Sequence, residues 1–96
     1  MFRKKGNKVS KKISKHEFVL TALGVMEDET LRPVPADDIV FCLQIDFKQK
    51  MKDLQVIELL KEAQNQGYCE YQQNGWKLLS KGEVIVDECL KILEES

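Results

Sequence analysis

Lys48, Gln49, Lys50, Lys52 and Gln55 crowd basic and amide side chains into the middle of this chain. Lysine neutralises phosphate and reaches guanine, and glutamine pairs bidentately with adenine. On the outer face of a helix, beside an inward Met51 and Leu54, such a group suits the major groove of duplex DNA, which admits a rod about 10–12 Å across. The same residues also read as the solvated face of an amphipathic helix. Asp53 and Glu58 oppose the DNA role, because carboxylates repel phosphate. A second group is Gln72, Gln73, Asn74 and Lys77, which could lie along phosphates or the minor groove or simply form a polar turn. A third is Arg3, Lys4, Lys5, Lys8, Lys11 and Lys12. With Lys15 they give residues 1–16 a charge of +7 and no acid, whereas the other 80 residues carry 8 basic and 16 acidic groups. A basic arm on an acidic body reads as a nucleic-acid arm, or more plainly as a solubilising tail.

Little else in the sequence carries chemistry. Cys42, Cys69 and Cys89 form no CxxC pair, and His16 is the single histidine. That argues against a zinc module, and an odd count argues against a closed disulfide framework. The cysteines read as small core residues. Cys89, near the C-terminus, is the one expected to be partly exposed, where a thiol switch would be feasible. Tyr68 and Trp76 are expected in the core rather than as stacking platforms for bases. No nucleophile with a base, phosphate loop or metal set is present, so the expectation is a protein without enzyme activity, cofactor or metal. The chain is 96 residues with 43% apolar and 32% charged residues, a soluble balance in a length suited to one domain. It has neither an 18-residue apolar run nor a secretory apolar segment, and the free thiols suit a reducing cytoplasm.

These groups need elements to hold them. Residues 1–13 have no apolar periodicity and read as a flexible basic arm; residues 14–96 read as the folded domain. Ser14 and Glu17 form a capping-box pattern, so a first helix starts at Ser14. Its stripe is Phe18, Ala22 and Val25 with Leu23 and Met26 beside it. It should end near Met26, leaving Glu27, Asp28 and Glu29 as a solvated turn. Pro33 and Pro35 force an extended stretch at 31–35 and start a second helix, with Asp37 and Asp38 in its first turn and an end near Gln44 or Ile45. The third helix is firm over 53–66 on Val56, Leu59, Leu60 and Ala63. Its start stays open between Asp46 and Asp53 as cap, and some helix before Asp53 is favoured. Gly67 closes it. Strands follow at 68–71 and 76–79 around an Asn74-Gly75 turn. Ser80 and Glu83 give a second capping-box pattern for a last helix at about 81–94. Val84, Ile85, Val86, Cys89, Leu90, Ile92 and Leu93 cover more than half its circumference. One face packs inward; the other calls for a partner, and a homodimer through this helix is expected.

Helix, extended segment, helix, helix, hairpin and helix resembles the winged helix-turn-helix family of transcription regulators, in the broad manner of MarR- and PadR-like proteins. The likeness rests on the run from Val56 through Ala63 to Gly67 and Tyr68, which leads into the first wing strand. It rests also on Leu79-Ser80-Lys81-Gly82, a turn after the wing that enters a helix. It covers roughly residues 14–83 and is strongest over 56–82. It implies a mainly α fold with a β-hairpin wing and a three-helix core plus a C-terminal helix. The implied function is a small DNA-binding transcription regulator, with the third helix in the major groove of double-stranded DNA and the wing and arm on phosphates. The competing expectation is a winged-helix module for protein contacts without specific DNA binding, which the acidic body and nearly uncharged wing favour.

Overall fold

The computed structural model describes residues 13–95. Its elements are α1 (Lys15–Thr30), α2 (Ala36–Asp46), α3 (Asp53–Asn65), β1 (Cys69–Gln72), β2 (Gly75–Leu78) and α4 (Ser80–Glu95). The described residues are therefore mainly helical with one small antiparallel hairpin. The expected arm lies almost wholly outside the described residues.

The capping box at Ser14 forms. Its hydroxyl accepts from the Glu17 amide at 3.2 Å, and the Glu17 carboxylate accepts from the Ser14 amide at 2.9 Å. The helix that follows is a hub. Residues 19–24 are buried around the whole circumference, because α2, α3, α4 and β2 all pack on α1. The expected stripe is thus corrected: Val19, Leu20 and Leu23 are buried beside Ala22, whereas Phe18 and Val25 are half-buried. Full burial of an aliphatic side chain of this size stabilises by about 1.5–3 kcal/mol. The buried hydroxyl of Thr21 is satisfied by donating to the Glu17 carbonyl at 2.7 Å.

Nor does α1 end at Met26. It runs one turn further, to Thr30, and Leu31 closes it in the left-handed region at φ 58°. Glu27, Asp28 and Glu29 are its last turn rather than a free loop. The reason is tertiary: a Glu27 carboxylate oxygen accepts from the Leu78 amide at 3.2 Å, which ties the end of α1 to β2.

Pro35 precedes α2, whose Ile39, Cys42 and Leu43 are buried. The helix stops at Asp46. Lys48 then takes φ 57°, and the Gln49 amide turns back to donate to the Leu43 carbonyl at 2.8 Å. The favoured helical reading of residues 46–52 is corrected: 47–52 is a loop. Asp53 does not cap α3 either. It is the first helical residue, and Lys52 occupies the capping position without a side-chain bond. Gly67 behaves as expected. At φ 85° it allows a Schellman closure, with the Gly67 amide on the Gln64 carbonyl and the Tyr68 amide on the Ala63 carbonyl, both at 3.0 Å.

The hairpin pairs Cys69 with Leu78 and Gln72 with Gly75. Its turn is one residue earlier than Asn74-Gly75. Gln73 at φ 49° and Asn74 at φ 65° are the two central residues, both left-handed as a type I′ turn demands. Gly75 serves another purpose. A Cβ there would sit 2.7 Å from the Pro33 carbonyl carbon, because Val34 pairs with Trp76 through two backbone bonds of 2.9 and 2.8 Å. The outer edge of β1 is closed as well: the Tyr71 amide donates to the Gln64 side-chain oxygen at 2.8 Å. Side chains and the 34-bridge thus protect a ribbon that would otherwise offer open edges.

The second capping-box pattern does not act as one. Ser80 is the first helical residue of α4, and the Leu79 carbonyl accepts from the Glu83 amide at 3.0 Å. Gly82 lets α4 approach the hairpin, since a Cβ there would stand 2.2 Å from the Tyr68 carbonyl oxygen. Val86 and Cys89 turn inward. Of the apolar residues of α4, Val84 is strongly exposed, while Ile85, Leu90, Ile92 and Leu93 are half-buried. Apart from Val84, the broad apolar surface expected from the sequence is one wide inward face, not two opposed ones.

Candidate nucleic-acid interface

The loop between α2 and α3 displays Lys48, Lys50 and Lys52 to solvent, with Gln49 and Met51 half-buried between them. The alternation follows from the fold. Met51 packs against the core with Phe47, whose ring meets that of Phe18 at 6.1 Å between centroids. Gln49 is held down by the hydrogen bond its backbone amide donates to the Leu43 carbonyl and by donation from its side chain to the Phe47 carbonyl at 3.3 Å. Every second residue is thereby turned out, and the outward ones are the lysines. They are loop residues ahead of α3, not a helical face as the sequence suggested. Gln55 lies in the first turn of α3 and is half-buried.

The outer face of α3 differs from a basic recognition surface. Asp53, Leu54, Glu58, Lys61, Glu62 and Asn65 are exposed, and Leu54 is 77% exposed. Glu62 is engaged, with a carboxylate oxygen 2.7 Å from His16 Nε2, which straps α1 to α3. On α2 the exposed Phe41 and Ile45 lie one turn apart.

The hairpin separates its candidates. Gln72, Gln73 and Lys77 line a cleft with Arg32, together with the carboxylates of Glu27, Asp28 and Glu83. The Gln72 side-chain amide donates to the Glu70 carboxylate at 2.9 Å. Asn74 lines the cleft on the opposite side, about 590 Å³ in volume, with Lys61, Gln64, Asn65, Tyr71 and Trp76. Lys48, Lys50 and Lys52 line neither. Arg3, Lys4, Lys5, Lys8, Lys11 and Lys12 lie outside the described residues. Sequence reasoning passed over Lys61, Gln64 and Asn65. Their signal was their spacing: Gln64 and Asn65 follow Lys61 by three and four residues, which puts them beside it on one flank of α3.

All three thiols are buried, Cys89 included, against the expectation that it would be partly exposed. Burial first, and then the Asp46 carboxylate that accepts from its thiol, push Cys42 up to about 12; burial pushes Cys69 up to about 11. The thiol form is thus strongly favoured at both. Among the described residues no group of three or more His, Cys, Asp or Glu side chains is placed to hold a metal ion. No helix is long and apolar enough to cross a membrane among those residues. No protein-family model matches the chain, and neither a curated protein nor a solved structure matches it.

Proposed function

We propose that this chain is a winged helix-turn-helix domain that binds double-stranded DNA and regulates transcription. The observation that carries the reading is the loop before α3. It presents three exposed lysines at the N-terminal end of the helix that leads into the hairpin. Lysines so placed neutralise phosphates and orient a helix on the duplex; the α3 N-terminus adds backbone donors for phosphate, and the half-buried Gln55 in its first turn supplies a side-chain amide for a base edge. The six basic residues within 1–12 add charge to the same task.

One observation favours the competing reading, a module for protein contacts. Phe41, Ile45 and Leu54 are exposed, and α3 displays Asp53 and Glu58. The two readings part on salt. Binding to duplex DNA should weaken linearly in log affinity against log salt, whereas capture of a protein partner by an apolar surface should change little. Fluorescence anisotropy of a labelled mixed-sequence duplex at rising salt separates them. A salt-dependent complex supports DNA binding, and no complex at low salt removes it.

A further inference from the structure

We propose that the cleft between α3 and the hairpin binds a single nucleotide unit, with its base against Tyr71, its edge read by side-chain amides and its phosphate on Lys61. This goes beyond duplex binding through the loop lysines and does not depend on it. The first observation is composition. The 590 Å³ cleft is lined by no carboxylate, although acidic residues outnumber basic ones in the described chain. The cleft beside it on the far side of the hairpin carries Glu27, Asp28 and Glu83. Its volume falls in the range of about 300–1,000 Å³ that small-ligand sites occupy.

The second observation is how the wall is built. Tyr71 is 54% exposed, and its ring is fixed edge-on to the buried Trp76 at 5.1 Å between centroids. A rigid, half-open aromatic face is a stacking platform that any base can use. The third is the polar set. Gln64 accepts from the Tyr71 amide through its oxygen, which leaves its NH2 as a donor beside the platform. Asn65 and Asn74 add two more amides, each with a donor and an acceptor, the chemistry that reads a base edge. Lys61 supplies one cation and forms no ion pair among the described residues. The first turn of α2, whose Ala36 also lines the cleft, carries Asp37 and Asp38. The phosphate is therefore assigned to the Lys61 side.

The same chemistry serves a free nucleotide or an unpaired nucleotide of a strand. Backbone amide shifts of the full chain are to be followed with AMP, GMP, CMP and UMP at millimolar concentration, and then with a single-stranded oligonucleotide. The expected result is saturable shifts at Lys61, Gln64, Tyr71 and Asn74 with at least one of the four. Tyr71→Ala should weaken that binding about 5- to 100-fold, and Tyr71→Phe should retain it. Lys61→Ala should weaken the monophosphate and leave the matching nucleoside unchanged. Tighter binding of the oligonucleotide than of the monophosphate assigns the cleft to a strand; equal binding assigns it to a free nucleotide. Absence of shifts in the cleft with every probe overturns the proposal, as does binding that survives both Tyr71→Ala and Lys61→Ala. Duplex binding through Lys48, Lys50 and Lys52 should be indifferent to Tyr71→Ala, so the two readings fail separately.

Discussion

Gly75 and Gly82 show how a single residue type can be required by its neighbours rather than by its own backbone angles. Each lets another segment come within contact of its Cα: Pro33 and Val34 at the hairpin, and the Tyr68 carbonyl at the start of α4. Gly75→Ala and Gly82→Ala should therefore each destabilise by roughly 1–3 kcal/mol or more, as overpacking does, measured by urea unfolding. Gly67→Ala is a different case. A Cβ there would meet only the Lys81 side chain, at an unstrained 3.9 Å, and the change should cost only the strain of a left-handed alanine, about 1 kcal/mol. The thiols give a prediction in pH. Cys42 and Cys69 ionise in the folded chain only near 12 and 11, against about 9 for a free thiol. Folding thus holds their protons, and the stability this contributes is fully present below the unfolded value and is lost as pH rises above about 9. Urea midpoints at pH 7 and pH 10 should differ in the native chain, and the difference should shrink when both cysteines are changed to Ala. An equal drop in both proteins would contradict the assignment.

The elements divide between those that local rules dictate and those that distant contacts dictate. Glu27 belongs to the second kind, since its carboxylate holds the half-buried Leu78 amide. Glu27→Ala should leave that donor unpaired and cost about 1–3 kcal/mol, whereas Glu27→Gln keeps an acceptor and should cost less. Ser14→Ala removes a purely local cap and should cost about 1 kcal/mol; thermal melts order the three variants. The same division explains what the sequence could show. Ser14 with Glu17, Pro35 before α2 and Gly67 after α3 are signals complete within a few residues, and each marks the boundary expected. Glu27–Glu29 read as solvent because nothing nearby reveals Leu78. Asn74-Gly75 was legible as a turn, but its register was not, because Gly75 answers to Pro33, about 40 residues away in the chain. The lysine cluster was legible as exposed and basic. Its placement on a loop was not, because the stop after Asp46 depends on Lys48 in a left-handed conformation, which sequence patterns disfavour for lysine. The cleft at Lys61 escaped notice because it exists only once the hairpin folds back on α3.

At the scale of the molecule, charge is the organising feature. The described residues are strongly acidic, the first twelve are basic, and the exposed lysines before α3 stand out against that background. The central claim is that these lysines meet the phosphates of duplex DNA, and it can be tested directly. Duplex affinity of the full chain is measured as a function of salt, before and after Lys48, Lys50 and Lys52 are all changed to Ala. The three positions are exposed loop residues, so stability should change by no more than about 0.5 kcal/mol for each. The account predicts weaker binding to every duplex and a salt slope reduced by about 3, one unit for each lost phosphate contact. An unchanged slope in a folded triple variant, or no duplex binding by the native chain at low salt, would contradict it.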